Sequence, residues 1–285
     1  MKNDGPDTGG KAILVTGASS GIGRATAIQL AAAGHTVFAA ARRLDRLTEL
    51  ARTTPGTVIP VRLDVRDPES VRAAVATVAE TCPDGLDVLV NNAGYALIGP
   101  AETLSTEGVR AQFETNVIGL LDVTRAFLPQ MRARRSGRIV NISSLLGAIT
   151  VPGSGIYGGS KHAVEALSDA LRMELKQFGV EVVVVQPSFA STDIDVTQHM
   201  ASGGGAIAEY APLERQLTAY LDEQMQKAVS GEVVAACVVH ASTTARPKAR
   251  YVTPQREAVT LGLLTALPTR LTDALKLRLV RGAAA

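Results

Sequence analysis

The order of apolar segments in this 285-residue chain predicts an α/β fold, a doubly wound parallel sheet with helices on both faces. Three observations carry the prediction. Apolar runs of strand length alternate almost without interruption with stretches of helical periodicity. Several of these runs are apolar throughout, as Val182-Val183-Val184-Val185 is, which suits strands covered on both faces. The first run leads through a glycine-rich turn into a helical pattern, the opening of a βαβ unit.

Taken in chain order, the strand Ala12–Val15 is followed by the turn Thr16-Gly17-Ala18-Ser19-Ser20-Gly21-Ile22-Gly23, a helix from Arg24 to Ala33 and a second strand near Thr36 to Ala40. A helix starting at Leu44 separates this from strands at Val58–Leu63, Val88–Val90, Arg138–Ile142 and the β-branched Val180–Val185. Helices are predicted near Pro68–Glu80, Thr106–Met131 and Tyr157–Phe178. From residue 12 to 285 the chain reads as one domain, because no internal repeat, charge block or linker interrupts the alternation. Residues 1–11 are polar and glycine-rich with no apolar core of a signal peptide, and are expected to form a disordered tail. The soft segment 188–231 holds the triplet Gly203-Gly204-Gly205; in folds that bind ligands beyond the strand C-termini, it would overhang the site as a substrate lid.

Composition narrows the function classes. A net charge of +2 from 29 basic and 27 acidic residues gives no electrostatic footprint for nucleic acid. Cys82 and Cys237 lack metal-ligand spacing and read as buried thiols, so no metal is expected and a reducing, cytoplasmic setting is.

Two groups of residues carry chemistry. The glycines of residues 17–23 let the backbone turn tightly and approach a pyrophosphate, whose charge the amides of a helix N-terminus then hold. The second group is Tyr157 and Lys161, four apart on one helix face, with Ser144 thirteen positions before the tyrosine at a strand end. An adjacent ammonium would lower a phenol pKa from about 10 toward neutrality. Such a phenol gives or takes a proton at a carbonyl or carbinol oxygen. An asparagine within the long helix, Asn116, is unfavourable there and points to a kink or a functional demand.

Together, TGxxxGxG at Thr16–Gly23, Asn91-Asn92-Ala93-Gly94, Asn116-Val117-Ile118-Gly119 and the Ser144, Tyr157, Lys161 spacing resemble the short-chain dehydrogenase/reductase family, over roughly residues 11 to 200. The resemblance implies a Rossmann-type sheet of about seven parallel strands, the last near Arg250–Thr253, and a homodimer or homotetramer. It implies Tyr157 as proton carrier and Ser144 as stabiliser of the substrate oxygen, with the adjacent Ser143 as fallback. Lys161 would lower the tyrosine pKa and bind the nicotinamide ribose, while Asn116 would hold a water that completes the relay. Coenzyme contacts would come from Gly17, Ser19, Ser20, Gly21, Ile22 and Gly23, from Asp64 and Val65 at the adenine, from Asn91, Ala93 and Gly94, and from Pro187, Ala190 and Thr192 at the nicotinamide. Asn91 and Asn92 would also brace the sheet.

Family members that prefer NAD place an acidic residue at the end of the second strand; here that position, eighteen after Gly23, is Ala41, followed by Arg42 and Arg43. With no carboxylate to repel a 2′-phosphate and guanidinium groups to pair with it, NADP(H) is favoured and NAD(H) is the alternative. One departure is Ser188, where the family commonly has glycine after a proline; its Cβ requires that the local backbone avoid positive φ. The tail of residues 255–285 carries Val259, Leu263, Leu267, Leu271, Leu275 and Leu279 at four-residue intervals, broken by Pro268, with basic residues interleaved. Amphipathic helices docked on the domain or another subunit are expected, a membrane surface being the alternative. With Tyr251, this tail is similar to members grouped near hydroxysteroid and retinol dehydrogenases, which implies a bulky apolar substrate. The expected activity is interconversion of a ketone or aldehyde with its alcohol, against a non-catalytic dinucleotide sensor or scaffold.

Overall fold

A computed structural model describes residues 10–191 and 207–282. Nine strands are present among them: β1 (Ala12–Thr16), β2 (Thr36–Ala41), β3 (Thr57–Arg62), β4 (Val88–Asn91), β5 (Gly137–Ile142), β6 (Val180–Pro187), β7 (Ala190–Ser191), β8 (Val229–Ser230) and β9 (Arg250–Thr253). Seven form one sheet in the order β3-β2-β1-β4-β5-β6-β9, every neighbouring pair parallel. β7 and β8 make a separate two-stranded ribbon. The helices are α1 (Gly21–Ala32), α2 (Leu44–Thr53), α3 (Pro68–Thr81), α4 (Thr106–Phe113), α5 (Leu120–Arg134), α6 (Gly155–Leu175), α7 (Ala211–Gln226), α8 (Gly231–Thr243), α9 (Glu257–Ala266) and α10 (Thr269–Gly282).

The period-two alternation of side chains divides the core between the sheet's faces. Ala12, Leu14, Phe38, Ala40, Leu89 and Val182 point to one side and pack with Val78, Phe127 and Met131 of α3 and α5. Ile13, Val15, Val37, Ala39, Val90 and Val183 point to the other and meet Ala27, Leu30, Leu47 and Val238 of α1, α2 and α8. Both faces are dry, which explains why the strands read as continuous apolar runs.

Several boundaries and roles differ from the sequence reading. The long helix runs from Thr106 to Arg134 but is widened into a π segment at Glu114–Gly119, where Asn116 sits. The segment 188–231 is not a plain lid loop: it contributes β7, β8 and the four-turn α7, while its residues 192–206, including the glycine triplet and Thr192, lie outside the described residues. α8 was not anticipated at all. Lys11, assigned to the tail, is tied to β2, its carbonyl accepting from the Thr36 amide at 2.9 Å; residues 1–9 of that tail lie outside the described residues. Both thiols are half-buried rather than buried. The four-residue stripe of the tail stands exposed, with Leu279 alone of its members also lining the cavity described below, while Leu261, Thr272 and Val280 supply the buried contacts.

Candidate active site

The winding of the sheet reverses between β1 and β4, and in such folds ligands bind beyond the strand ends at that point. One side chain ties the two ends together. The Thr16 hydroxyl accepts from the Asn92 and Ala93 amides, each at 2.9 Å. Asn92 returns the link, its Nδ2 donating to the Thr16 carbonyl at 2.9 Å. Asn92 thereby closes over the glycine turn: a Cβ on Gly17 would sit 2.9 Å from Asn92 Nδ2, and one on Gly23 would sit 2.5 Å from that atom and 2.5 Å from the Gly17 carbonyl oxygen. Gly17, at φ +69°, and Gly21, at φ +53°, also hold left-handed backbone that side chains disfavour.

The turn delivers the chain to the N-terminus of α1, whose first turn has no acidic residue and whose Ser20 makes no side-chain cap. Those free amides suit an anion. Arg43 adds charge there, its Nη2 donating to Ser19 Oγ at 3.1 Å and Ser20 Oγ at 3.4 Å. Gly17, Ser19, Ser20, Ile22, Ala41, Arg42, Arg43, Asp64, Val65, Ala93 and Gly94 line one cleft of about 860 Å³. Asp64 also performs ordinary turn chemistry, its Oδ1 accepting from the Arg66 amide at 3.0 Å. Asn91 is a correction: its side chain is absent from the cleft lining and buried in the sheet, where Nδ2 donates to Thr124 Oγ1 and Asn141 Oδ1, each at 2.9 Å. It braces the scaffold, as the neighbouring Asn92 faces the cleft.

The second half of the site rises from the ends of β5 and β6 and the first turns of α6. Ser144 Oγ accepts from the Leu146 amide at 3.1 Å, capping a short 3₁₀ turn, and it lies beside the Tyr157 hydroxyl, whose pKa it lowers. Ser143 also lines the cavity, but its buried hydroxyl has no partner among the described residues, so Ser144 is the serine that meets the phenol. Lys161 lies one turn beyond Tyr157, its Nζ 5.8 Å from the ring centroid and donating to the Ile142 carbonyl at 2.8 Å. Asn116 does not touch Lys161 directly. Its Oδ1 accepts from the Tyr95 amide at 3.1 Å, and its Nδ2 donates to the Tyr95 carbonyl at 3.0 Å and to Ser160 Oγ at 3.1 Å. The π segment turns Asn116 inward to make these bonds. Gly94 must be glycine for the same approach, since a Cβ there would lie 2.9 Å from Asn116 Oδ1 and 3.7 Å from Lys161 Nζ.

The electrostatics depart from expectation. Burial pushes the Tyr157 phenol above its usual value, and the Ser144 hydrogen bond opposes that rise. Burial also pushes Lys161 down to about 8, against the Glu165 carboxylate one turn further along α6, which favours the ammonium. Glu165 is itself held by Gln186 Nε2 at 2.9 Å and Arg250 Nε at 2.9 Å. Glu165→Gln removes the charge that supports the ammonium. The alkaline limb of the kcat/KM profile should therefore move to lower pH, and an unmoved limb would show that Glu165 serves only the Arg250 ion pair.

Tyr157, Ser144 and Lys161 open into a cavity of about 370 Å³, largely apolar, that also takes in Pro187 and Ala190. Ser188 adopts no positive φ and donates its amide to the Thr253 carbonyl at 2.9 Å, so the departure from glycine is accommodated. Sequence reasoning missed the part of the cavity wall formed by Leu217, Tyr220, Leu221 and Met225 of α7 and by Leu261 and Leu264 of α9. α7 is seated by Leu217 against Gly153, where a Cβ would come within 2.4 Å of Leu217 Cδ1. Tyr220 meets Phe189 edge-to-face at 6.2 Å. The period-3.6 spacing of Leu217, Leu221 and Met225 was the available signal for this helix.

A dinucleotide-sized cleft that adjoins Ser144, Tyr157 and Lys161 at the strand ends fits an oxidoreductase that works with a nicotinamide coenzyme. The chain belongs to the short-chain dehydrogenase family, whose model matches residues 11–202. It is 35% identical to an NADPH-dependent 3-dehydrocapnine reductase of Ornithobacterium rhinotracheale over 91% of this chain and 94% of that one. It is likewise 35% identical to retinol dehydrogenase 16 of Mus musculus, over 93% and 87% of the two chains. Among solved structures, a short-chain dehydrogenase from Streptomyces avermitilis superposes with a TM-score of 0.77 at 34% identity, covering 94% of this chain and 97% of that one.

Proposed function

We propose that this chain is an NADP(H)-dependent oxidoreductase that interconverts a bulky, apolar ketone or aldehyde with its alcohol. The observation that carries the reading is the contact of Tyr157 with Ser144 in the lining of an apolar cavity, beside a cleft whose adenosine end holds Arg42 and Arg43 and no carboxylate at position 41. The cleft fits a dinucleotide, because its volume of about 860 Å³ lies beside the N-terminus of α1, whose first turn carries no acidic residue, with Arg42 and Arg43 in its lining. Gly17, Ser19, Ser20, Ile22, Arg42, Arg43, Asp64, Val65, Ala93 and Gly94 would hold it; when bound, it supplies or accepts a hydride at the carbonyl carbon.

The protein's own groups handle the oxygen. Tyr157 donates its phenolic proton to the carbonyl oxygen during reduction and takes it back from the alcohol during oxidation. Ser144 donates a hydrogen bond to the same oxygen as charge develops on it. Lys161, protonated below about pH 8, lies close enough to the ring to favour the phenolate formed when the proton leaves. Asn116 fixes Tyr95 and Ser160 around this group. Leu217, Tyr220, Leu221 and Met225 exclude water and present an apolar wall to the substrate.

Coenzyme choice is tested at the arginines. Arg42→Ala and Arg43→Ala should weaken NADPH about ten- to a hundredfold, the worth of a lost charge-assisted contact, and NADH little. Isothermal titration with both coenzymes separates the cases: equal weakening marks these arginines as structural, and a wild type that prefers NADH overturns the assignment. Arg43 should show the larger effect, because it already reaches Ser19 and Ser20 at the turn.

A further inference from the structure

Eleven large apolar side chains stand exposed among the described residues, and seven of them fall between Val259 and Leu279. Their concentration matters more than their number, since isolated exposed leucines are ordinary and contiguous ones mark an interaction surface. α9 buries Leu261 on its inner side, yet its outer side presents Val259 at 70% and Leu263 at 62% exposure. A helix apolar on both sides is ordinarily covered on both. On α10, Leu271, Leu275 and Leu279 form one row of the helix, next to the row of Thr272, Lys276 and Val280 that turns toward the protein.

The charge beside this surface has one sign. Between residues 256 and 282 there are five basic residues and two acidic ones, 5 − 2 = +3. The acids are engaged, Glu257 with Arg256 at 3.6 Å and Asp273 with Lys276 at 3.7 Å. Arg270, Arg278 and Arg281 have no ion pair among the described residues and stand exposed on α10. A second copy of the chain is a poor occupant, because a twofold contact would set this cationic patch against itself. An anionic lipid surface complements both the charge and the leucines.

We propose that α9 and α10 lie flat on an anionic membrane surface, with Val259, Leu263, Leu271 and Leu275 in the boundary between head groups and acyl chains and the three free arginines against lipid phosphates. Among the described residues no helix is long and apolar enough to cross a membrane, so the contact is in the plane of the interface. The same pair of helices lines the reaction cavity from its other side through Leu261 and Leu264, and Leu279, 56% exposed, belongs to both surfaces. If the substrate is apolar, as proposed above, the cavity takes it directly from the leaflet; this step alone rests on that reading.

Flotation of the whole protein with vesicles of phosphatidylcholine containing about 30% phosphatidylglycerol tests the surface without reference to turnover. The wild type should float with these vesicles, be released by high salt, and bind far less to phosphatidylcholine alone. Arg270→Gln, Arg278→Gln and Arg281→Gln combined should lower partitioning on the order of a hundredfold, the sum of three surface cations. Leu263→Glu with Leu271→Glu, both exposed and outside the cavity lining, should abolish flotation while reduction of a water-soluble ketone stays unchanged. A wild type that does not float, or variants that float equally well, overturns the proposal. So does a wild-type oligomer, sized by light scattering without vesicles, that Leu263→Glu with Leu271→Glu dissociates, which would assign the surface to a second copy. Loss of ketone turnover in wild type with flotation intact would strike the functional reading and not this one.

Discussion

Tyr157→Phe should lower kcat by about 10²–10⁴-fold, the range for loss of a general acid/base, while leaving coenzyme affinity nearly unchanged. The substitution keeps the ring and its packing beside Lys161 Nζ and deletes the one oxygen that meets Ser144. Stopped-flow reduction of an apolar ketone, with coenzyme binding measured separately by fluorescence, gives the two numbers. Turnover within about tenfold of wild type would remove Tyr157 from proton transfer.

Lys161→Met should be comparably damaging to turnover and should also weaken coenzyme, yet it should not weaken the fold at neutral pH. Lys161 is 6% exposed, and its pKa falls from 10.5 to about 8 through burial. That difference corresponds to on the order of 3 kcal/mol against folding wherever the amine is charged in both states. Loss of its bond to the Ile142 carbonyl offsets about 1–3 kcal/mol of the gain. Because the folded pKa lies below the unfolded one, the penalty is fully present below pH 8 and is relieved as pH rises toward 10.5. The Tm difference between variant and wild type should therefore be greatest below pH 8 and shrink above it; a pH-independent difference would mean that burial does not shift the amine's pKa.

Much of the sheet was legible because burial on both faces leaves a strong one-dimensional signature: Val182–Val185 is a strand in the sequence and in the structure. The glycine turn and the Tyr157, Lys161 pair were legible as local spacing, and the structure joins them with Ser144 at one set of strand ends. What failed depended on three-dimensional context. α8, with Val233-Val234 and Val238-Val239 among alanines, mixes strand and helix preferences, and only packing against α1 and the sheet decides between them. The direction of the Tyr157 shift needs depth of burial, which spacing does not carry. Asn91 and Asn92 are adjacent and alike in type, but the pleat sends one into the sheet and leaves the other at its end. The leucines of α9 and α10 kept their predicted periodicity, yet which side of the helix meets the protein is invisible to periodicity alone.

The reversal of winding between β1 and β4 has a consequence for how variation in this chain combines. The cleft and the cavity described above share only Ile22, Asn92, Gly94 and Tyr95 among their lining residues. Residues 41–43 stand in one set, and residues 217–225 in the other. Changes aimed at the proposed coenzyme through residues 41–43 and at the proposed carbonyl compound through residues 217–225 therefore address disjoint side chains, and their free energies are expected to add. Any epistasis between the two must pass through the shared four. A lineage can thus retune either ligand without renegotiating the other, so long as that small junction is left alone.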